Sequence, residues 1–266
     1  MVRADGWVEE LFVHPVKGLS AQPLTSVALQ PGKGIPHDRS FAFARPDGGY
    51  RPGTREGLPK REFFALVSDH RLAGLDTHLD TDTGVLTARV VGREVLAADL
   101  GTEEGRDRAA RFFAGVLDLP PGAAPVLARE RGRRFTDAAA AGDGPMDWIS
   151  VVNLASVRDL ESRTGAVVDR LRFRANVFVD GLPAWSELDA VGREIDLGGV
   201  RVRCVHRTAR CAATEVDPAT GHRDLPVVAM IDKTYGHRFM GVYVEVLTAG
   251  VVEKGCGVVV LATPGS

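Results

Sequence analysis

The stretch R207-TARCAATEVDPAT-G221 holds one cysteine, Cys211, with Arg207 and Arg210 upstream and a tail of small and turn-forming residues behind it. Nearby guanidinium groups favour the thiolate, the form of cysteine that binds soft metals or attacks electrophiles. The tail V-D-P-A-T-G (216–221) reads as a tight turn, with Pro218 presetting φ, Asp217 bonding its own backbone and Gly221 ending it. Such a turn fixes the cysteine loop against the next element. On these residues alone Cys211 is a nucleophile, a metal ligand or a small core residue; a nucleophile would need a base, and none of the seven histidines is placed beside it by the sequence.

The rest of the chain narrows the setting. At 266 residues it is long enough for two domains sharing an interface or one large mixed domain. Hydrophobic residues at 44% and charged residues at 26% are those of a water-soluble globular protein, and apolar runs such as GVVVLA near the end are too short to span a bilayer. The first residues, MVRADGWVEELFVHPVKG, lack the apolar core of a secretory signal, so a cytoplasmic location is expected. Three widely spaced cysteines, Cys204, Cys211 and Cys256, argue against a disulfide framework, and no CxxC pair or Cys/His cluster suggests structural zinc. The net charge of −2 gives no global drive toward nucleic acid; the arginine-rich A128-RERGRR-F135 reads as a solvated face.

Short β patterns bounded by Pro or Gly fill the first third: GWVEELFVHPV, LTSVALQPG, RSFAFARPDGG and GVLTARVVG. Residues 106–118 place Ala109, Phe112, Phe113 and Val116 at helical spacing, and LPPGAAP (119–125) then breaks the chain at the best candidate boundary. A second helix is expected after the N-cap Asn153, with Leu154, Val157 and Leu160 on one face and Gly165 beyond its end. Just before it, AAAAGDGP (138–145) reads as a flexible insert. From 171 on β character returns in FRANVFVDG, GREIDLGGVRVRCVHR, GVYVEVLTAG and GCGVVVLA, with a short helix around 225–234. The fold class is a β-rich α+β protein, split at 1–122 and 123–266.

The stretch RCAATEVDPATGHRD closely resembles the motif of the MOSC family, named after the C-terminal domain of molybdenum cofactor sulfurase. Four further segments agree in order: HPVKGLS (14–20), PHDRSFAFAR (36–45), LRFRANVFVDG (171–181) and GHRFMGVYVEVLTAG (236–250). The resemblance covers nearly the whole chain and implies an N-terminal β-barrel-like region followed by a MOSC-type β-barrel with covering helices. It is the arrangement of the amidoxime-reducing, molybdenum-containing members. It implies that Cys211 ligates molybdenum, with Arg210 beside it as a cofactor contact. By the same resemblance Lys17, Gly18, Arg39, Arg174 and Asn176 contact the cofactor, the first 45 or so residues lending theirs to the site. FTD (135–137) looks like a family segment that leads to further contacts through short hydroxylic residues, so Thr136 and Asp137 join the set, although AAAAGDGPMDW behind them lacks the hydroxyls.

The chemistry of that residue set agrees with the implied ligand. A pyranopterin cofactor, Mo-molybdopterin, needs cations for its phosphate, amides for its pterin and a soft thiolate for its metal. The expected activity is reductive removal of oxygen from a small N-hydroxylated substrate such as an amidoxime, a hydroxylamine or an N-hydroxylated base, without pyridoxal phosphate. No Gly-rich dinucleotide fingerprint or cysteine cluster is present, so electrons are expected from a separate protein carrying flavin, haem or iron–sulfur. Two alternatives remain: a sulfur carrier or cofactor-delivery protein using a persulfide on Cys211, and a module that only stores the finished cofactor. Several departures stand out. Thr208 sits where some members have a second cysteine, Gly18 where amidoxime-reducing relatives have a serine, and Cys256 where many have an acidic residue. Oxygen removal consumes protons, and His237 and Asp217 are candidate donors, Asp217 reading first as a turn former.

Overall fold

The computed structural model describes residues 5–54 and 57–261. The chain opens with β1 (Gly6–Val13), β2 (Gln22–Leu24), β3 (Ser26–Leu29) and β4 (Ala42–Ala44). An antiparallel meander of β5 (Asp76–Leu79), β6 (Val85–Val90) and β7 (Arg93–Asp99) follows, covered by α1 (Glu103–Val116). Thr102 caps that helix by accepting from Gly105 N–H, and the four apolar residues at helical spacing all enter one core with Phe43, Phe64, Leu86 and Leu100. Strand β8 (Val126–Ala128) then returns to pair with β4.

The second half runs α2 (Asp143–Met146), β9 (Ile149–Asn153), α3 (Leu154–Thr164), β10 (Val177–Asp180), α4 (Ser186–Asp189), β11 (Glu194–Leu197), β12 (Val200–Ala209), α5 (Val227–Tyr235), β13 (Phe239–Val246), β14 (Gly250–Glu253) and β15 (Gly257–Val260). As the sequence indicates, Asn153 caps α3 by accepting from Ala155 N–H, and Gly165 ends it in the left-handed region.

Seven strands close into a barrel in the order β1-β10-β9-β13-β12-β11-β15 and back to β1. Of these pairs only β9 and β10 run parallel, which is why α3 lies between them in sequence as a crossover. The interior is dominated by valine, including Val8, Val151, Val179, Val202, Val242, Val244 and Val258. Branched side chains of this size fill a small barrel. The first strand of the chain thus completes a barrel whose other six strands come after residue 148. The V-D-P turn leans the other way, burying Val216 in the core beneath α1.

Two expectations change. The 138–145 stretch is helical rather than an open insert: a 3-10 turn covers Asp137–Ala141 and α2 follows, separated by Gly142 at φ 126°. Alanine favours helical backbone, and the glycine supplies the break. The arginine-rich run is only partly a solvated face. Arg129 lies over the Phe41 ring, and Arg134 is inward, its Nε 2.8 Å from Asp147 and its Nη atoms donating to the Gly34, Ile35 and Asp38 carbonyls. Among the described residues no helix is long and apolar enough to cross a membrane.

Candidate functional site

All nine residues singled out by the sequence, Lys17, Gly18, Arg39, Thr136, Asp137, Arg174, Asn176, Arg210 and Cys211, line one cleft. It enclosed about 900 Å³ counting its open mouth, and it lies between the barrel wall and the segment Ala65–Leu66–Val67 of the N-terminal half. They arrive from five separate stretches of chain: the turn after β1, the loop before β4, the segment before α2, the turn before β10 and the end of β12.

Asp38, which the sequence reading passed over, organises one side. Its Oδ1 accepts from the His14 backbone N–H at 2.8 Å and from Asn176 Nδ2 at 2.9 Å, and its Oδ2 accepts from Arg39. Burial works against this carboxylate, yet the charge of Arg39 beside it holds its pKa well below the usual range. Arg39 also donates to the Arg174 carbonyl at 3.0 Å; burial opposes its charge, and Asp38 outweighs burial. Asn176 completes the frame by donating to the Phe12 carbonyl at 3.2 Å. Arg39 and Asn176 therefore shape the cleft as well as line it.

Three other cations are held at some cost. Lys17 Nζ donates to the Phe135 carbonyl at 3.0 Å and to the Asp137 carboxylate, and burial lowers its pKa beyond what Asp137 restores. Burial, then Arg39, pushes Arg174 down to about 9, and burial pushes Arg210 down to about 10. Arg174 closes the 3-10 turn Arg170–Phe173 in the left-handed region, φ 50°; one terminal nitrogen donates to the Leu19 carbonyl at 2.8 Å and the other has no hydrogen-bond partner among the described residues. Arg210 is braced by the Phe173 and Met240 carbonyls. Buried cations with depressed pKa values in a cleft mark a site suited to an anion.

Cys211 is half-buried and starts the 3-10 turn Ala212–Glu215, with its carbonyl accepting from Thr214. Asp217 behaves as a turn former: its Oδ1 accepts from Ala219 N–H, Thr220 N–H and Thr220 Oγ1 at 2.8–3.0 Å. Its Oδ2 accepts from Arg172, a buried arginine that also bonds Asp224 and the Glu215 carbonyl and so clamps the loop from below. Arg207 turns away from the thiol to the Leu188 carbonyl and Asp189, because strand side chains alternate and Thr208 takes the cleft side. Only Arg210 of the two arginines lies beside Cys211.

Gly18 sits at φ 82°, where a Cβ would come within 3.1 Å of Leu72. His237 stacks with Tyr235 outside the cleft. Cys204 is a core residue whose thiol burial pushes up to about 12, and Cys256 sits in the turn between β14 and β15; neither lines the cleft.

The sequence reading missed Trp148, Ser150, Arg172 and Tyr243 as lining residues and noted Thr208 only for the thiol it lacks. Five buried atoms of cleft residues have no hydrogen-bond partner among the described residues: Thr136 Oγ1, Ser150 Oγ, Arg172 Nε, Arg174 Nη2 and Thr208 Oγ1. Unpaired buried polar atoms are uncommon, and their concentration here fits a polar ligand. Among the described residues no group of three or more His, Cys, Asp or Glu could hold a metal ion. A metal bound by Cys211 would need its other ligands from an organic group, as in a dithiolene cofactor.

Residues 5–120 match the MOSC N-terminal beta barrel domain and residues 140–259 the MOSC domain. Mitochondrial amidoxime-reducing component 1 of Mus musculus is 25% identical over 236 residues, 82% of this chain and 68% of its own length. Molybdenum cofactor sulfurase of Caenorhabditis briggsae is 25% identical over 248 residues, 90% of this chain but only 33% of the sulfurase. Among solved structures, the YUAD protein from Bacillus subtilis aligns over 95% of this chain and 93% of its own, at 14% identity and a TM-score of 0.42. YiiM from Geobacillus stearothermophilus aligns over 43% of this chain and about half of its own (54%), at 26% identity and a TM-score of 0.32. With the two domain models matched in succession along its length, the chain belongs to the MOSC family.

Proposed function

We propose that this chain binds the molybdenum cofactor in the cleft and acts as an oxidoreductase on N-hydroxylated substrates, amidoximes, hydroxylamines or N-hydroxylated bases, in the cytoplasm. The observation that carries it is the ring of buried cations and unpartnered polar atoms around a single accessible thiol. Arg174, with one terminal nitrogen unpartnered among the described residues, suits the phosphate, seconded by Lys17 and Arg39. Cys211 supplies the soft ligand for the metal. When bound, the cofactor supplies the two-electron chemistry. The chain holds it, keeps water off the buried floor and fixes the cysteine loop through Arg172 and Asp217. Removing the hydroxyl oxygen of R–NHOH as water consumes two electrons and two protons, and the electrons come from a separate flavin, haem or iron–sulfur protein. In this proposal residues 1–122 and 123–266 form the two domains, and the first 45 or so residues lend β1, Lys17 and Arg39 to the second.

The test is molybdenum and pterin analysis of protein made in a host that assembles the cofactor, beside Cys211→Ala. Molybdenum in the wild type and its loss in the variant support the assignment; a wild type with neither molybdenum nor pterin ends it. Benzamidoxime reduction with a chemical electron donor then separates enzyme from carrier. Similarity to a molybdenum cofactor sulfurase over 90% of the chain favours a second reading, in which Cys211 carries a persulfide. Its signature is added sulfur on Cys211 by mass spectrometry with no reduction of benzamidoxime.

A further inference from the structure

Three neighbouring strands, β9, β13 and β12, form the barrel wall of the cleft. Their side chains alternate between the two faces. Val151, Val242, Val244, Val202 and Cys204 fill the barrel, whereas Ser150, Tyr243 and Thr208 line the cleft. Ser150 sits directly across from Tyr243, and Thr208 falls in the irregular register between Arg207 and Ala209 where β12 pairs with β13.

Ser150 is 6% exposed and Thr208 3%, and neither hydroxyl has a hydrogen-bond partner among the described residues. An alanine and a valine would fill the same space without burying an unpaired hydroxyl, so packing alone gives no reason for these two residues. A hydroxyl both donates and accepts, which suits the edge of a fused heterocycle carrying ring nitrogens, an amide and an amine. The cations cannot serve that edge equally well: lysine and arginine only donate.

Resting on the cofactor assignment above, we propose that Ser150 and Thr208 are positioning residues that hydrogen-bond the ring edge of the pterin. The division of labour is then by chemistry. The buried cations hold the phosphate, Cys211 holds the metal, and the two wall hydroxyls set the orientation of the ring between them.

The experiment compares Ser150→Ala, Thr208→Val, the double variant and Thr208→Ser, each made in one host that assembles the cofactor and in one that cannot. Cofactor-free protein is melted thermally. Loaded protein is diluted, and pterin release is followed by fluorescence of the oxidised product. The cofactor-free Ser150→Ala and Thr208→Val proteins are expected to melt at or above the wild type, since each loses an unpaired buried hydroxyl. The same variants, once loaded, are expected to release pterin about three- to tenfold faster each, with the two factors multiplying in the double variant. Thr208→Ser keeps the hydroxyl and should release at the wild-type rate. Release unchanged in both single variants overturns the inference, as does a lower melting temperature of both cofactor-free variants, which would place the hydroxyls in the fold's own bonding. A wild type that loads normally while the variants match it leaves the cofactor assignment standing; a wild type that carries no pterin removes both.

Discussion

His14 offers a sharp test of the electrostatics beneath the cleft. It is 1% exposed, its Nδ1 lies 3.7 Å from Asp38 Oδ1, and that nitrogen has no hydrogen-bond partner among the described residues. Burial, then the charges of Arg39 and Arg174, lowers its pKa from 6.5 to about 3, so the folded protein keeps it neutral. The unfolded chain titrates it normally. Between those two values the unfolded state binds more protons, so the stability this group contributes is complete above pH 6.5 and is lost as pH falls toward 3. Descending from 6.5 to pH 5 covers about 1.5 pH units at ~1.36 kcal/mol each, or about 2 kcal/mol from one residue. That figure depends only on the folded value lying well below 5. Urea unfolding at pH 7 and pH 5 measures it, with His14→Gln removing the titration and every carboxylate common to both proteins. The wild type should lose about 2 kcal/mol more than His14→Gln over this interval. Equal losses would refute a buried neutral histidine beside Asp38.

The remaining predictions probe the site and its frame. Arg174→Gln should weaken cofactor retention roughly 10- to 100-fold, the worth of a charge-assisted hydrogen bond, with Arg174→Lys restoring only part of it; pterin release rates decide, and wild-type retention in Arg174→Gln would remove this residue from the binding set. Asp217→Ala removes the acceptor of three turn hydrogen bonds and one partner of Arg172. It should cost on the order of 2 kcal/mol and speed amide hydrogen exchange across 211–221 more than elsewhere. Gly241→Ala would place a Cβ 2.3 Å from the Val151 carbonyl at a φ of 77°, so the barrel wall must shift. A loss beyond about 3 kcal/mol in chemical denaturation is expected, and a stability equal to the wild type would contradict the close approach of β13 to β9.

Much of this was legible in the sequence because it is local. Asn153 and Gly165 bracket α3 through caps that act within one turn, and Asp217 forms its turn with residues two and three places ahead. The nine residues that the motifs single out do share one cleft. What escaped is what only the barrel creates. Ser150 and Tyr243 are 93 positions apart and become neighbours through strand register. Arg172 looks like its neighbours Arg170 and Arg174 on paper, yet it is buried under the cysteine loop while Arg170 pairs with Glu10 near the surface. Asp38 sat inside a quoted motif, but its role depends on Asn176 arriving from 138 residues away.

The cleft combines features that are each unfavourable alone. Arg39 and Arg174 hold left-handed backbone at φ 47° and 50°, which costs a non-glycine residue about 1–3 kcal/mol. Lys17, Arg174 and Arg210 keep charges that burial opposes, and five polar atoms of the cleft stand without partners among the described residues. Asp38 compensates Arg39 directly and the others hardly at all. One ligand bearing an anion at one end and hydrogen-bonding groups along its length would relieve most of these together: it would pair the cations, satisfy the orphaned atoms and give the two strained arginines a reason for their conformation. The same sites that weaken the cofactor-free protein are therefore those through which a bound cofactor would stabilise it, so stability and loading would be coupled through named residues. A storage module and an enzyme share that coupling. What separates them is whether the single thiol beside Arg210 holds a metal that turns over, which makes Cys211 the residue on which the functional choice rests.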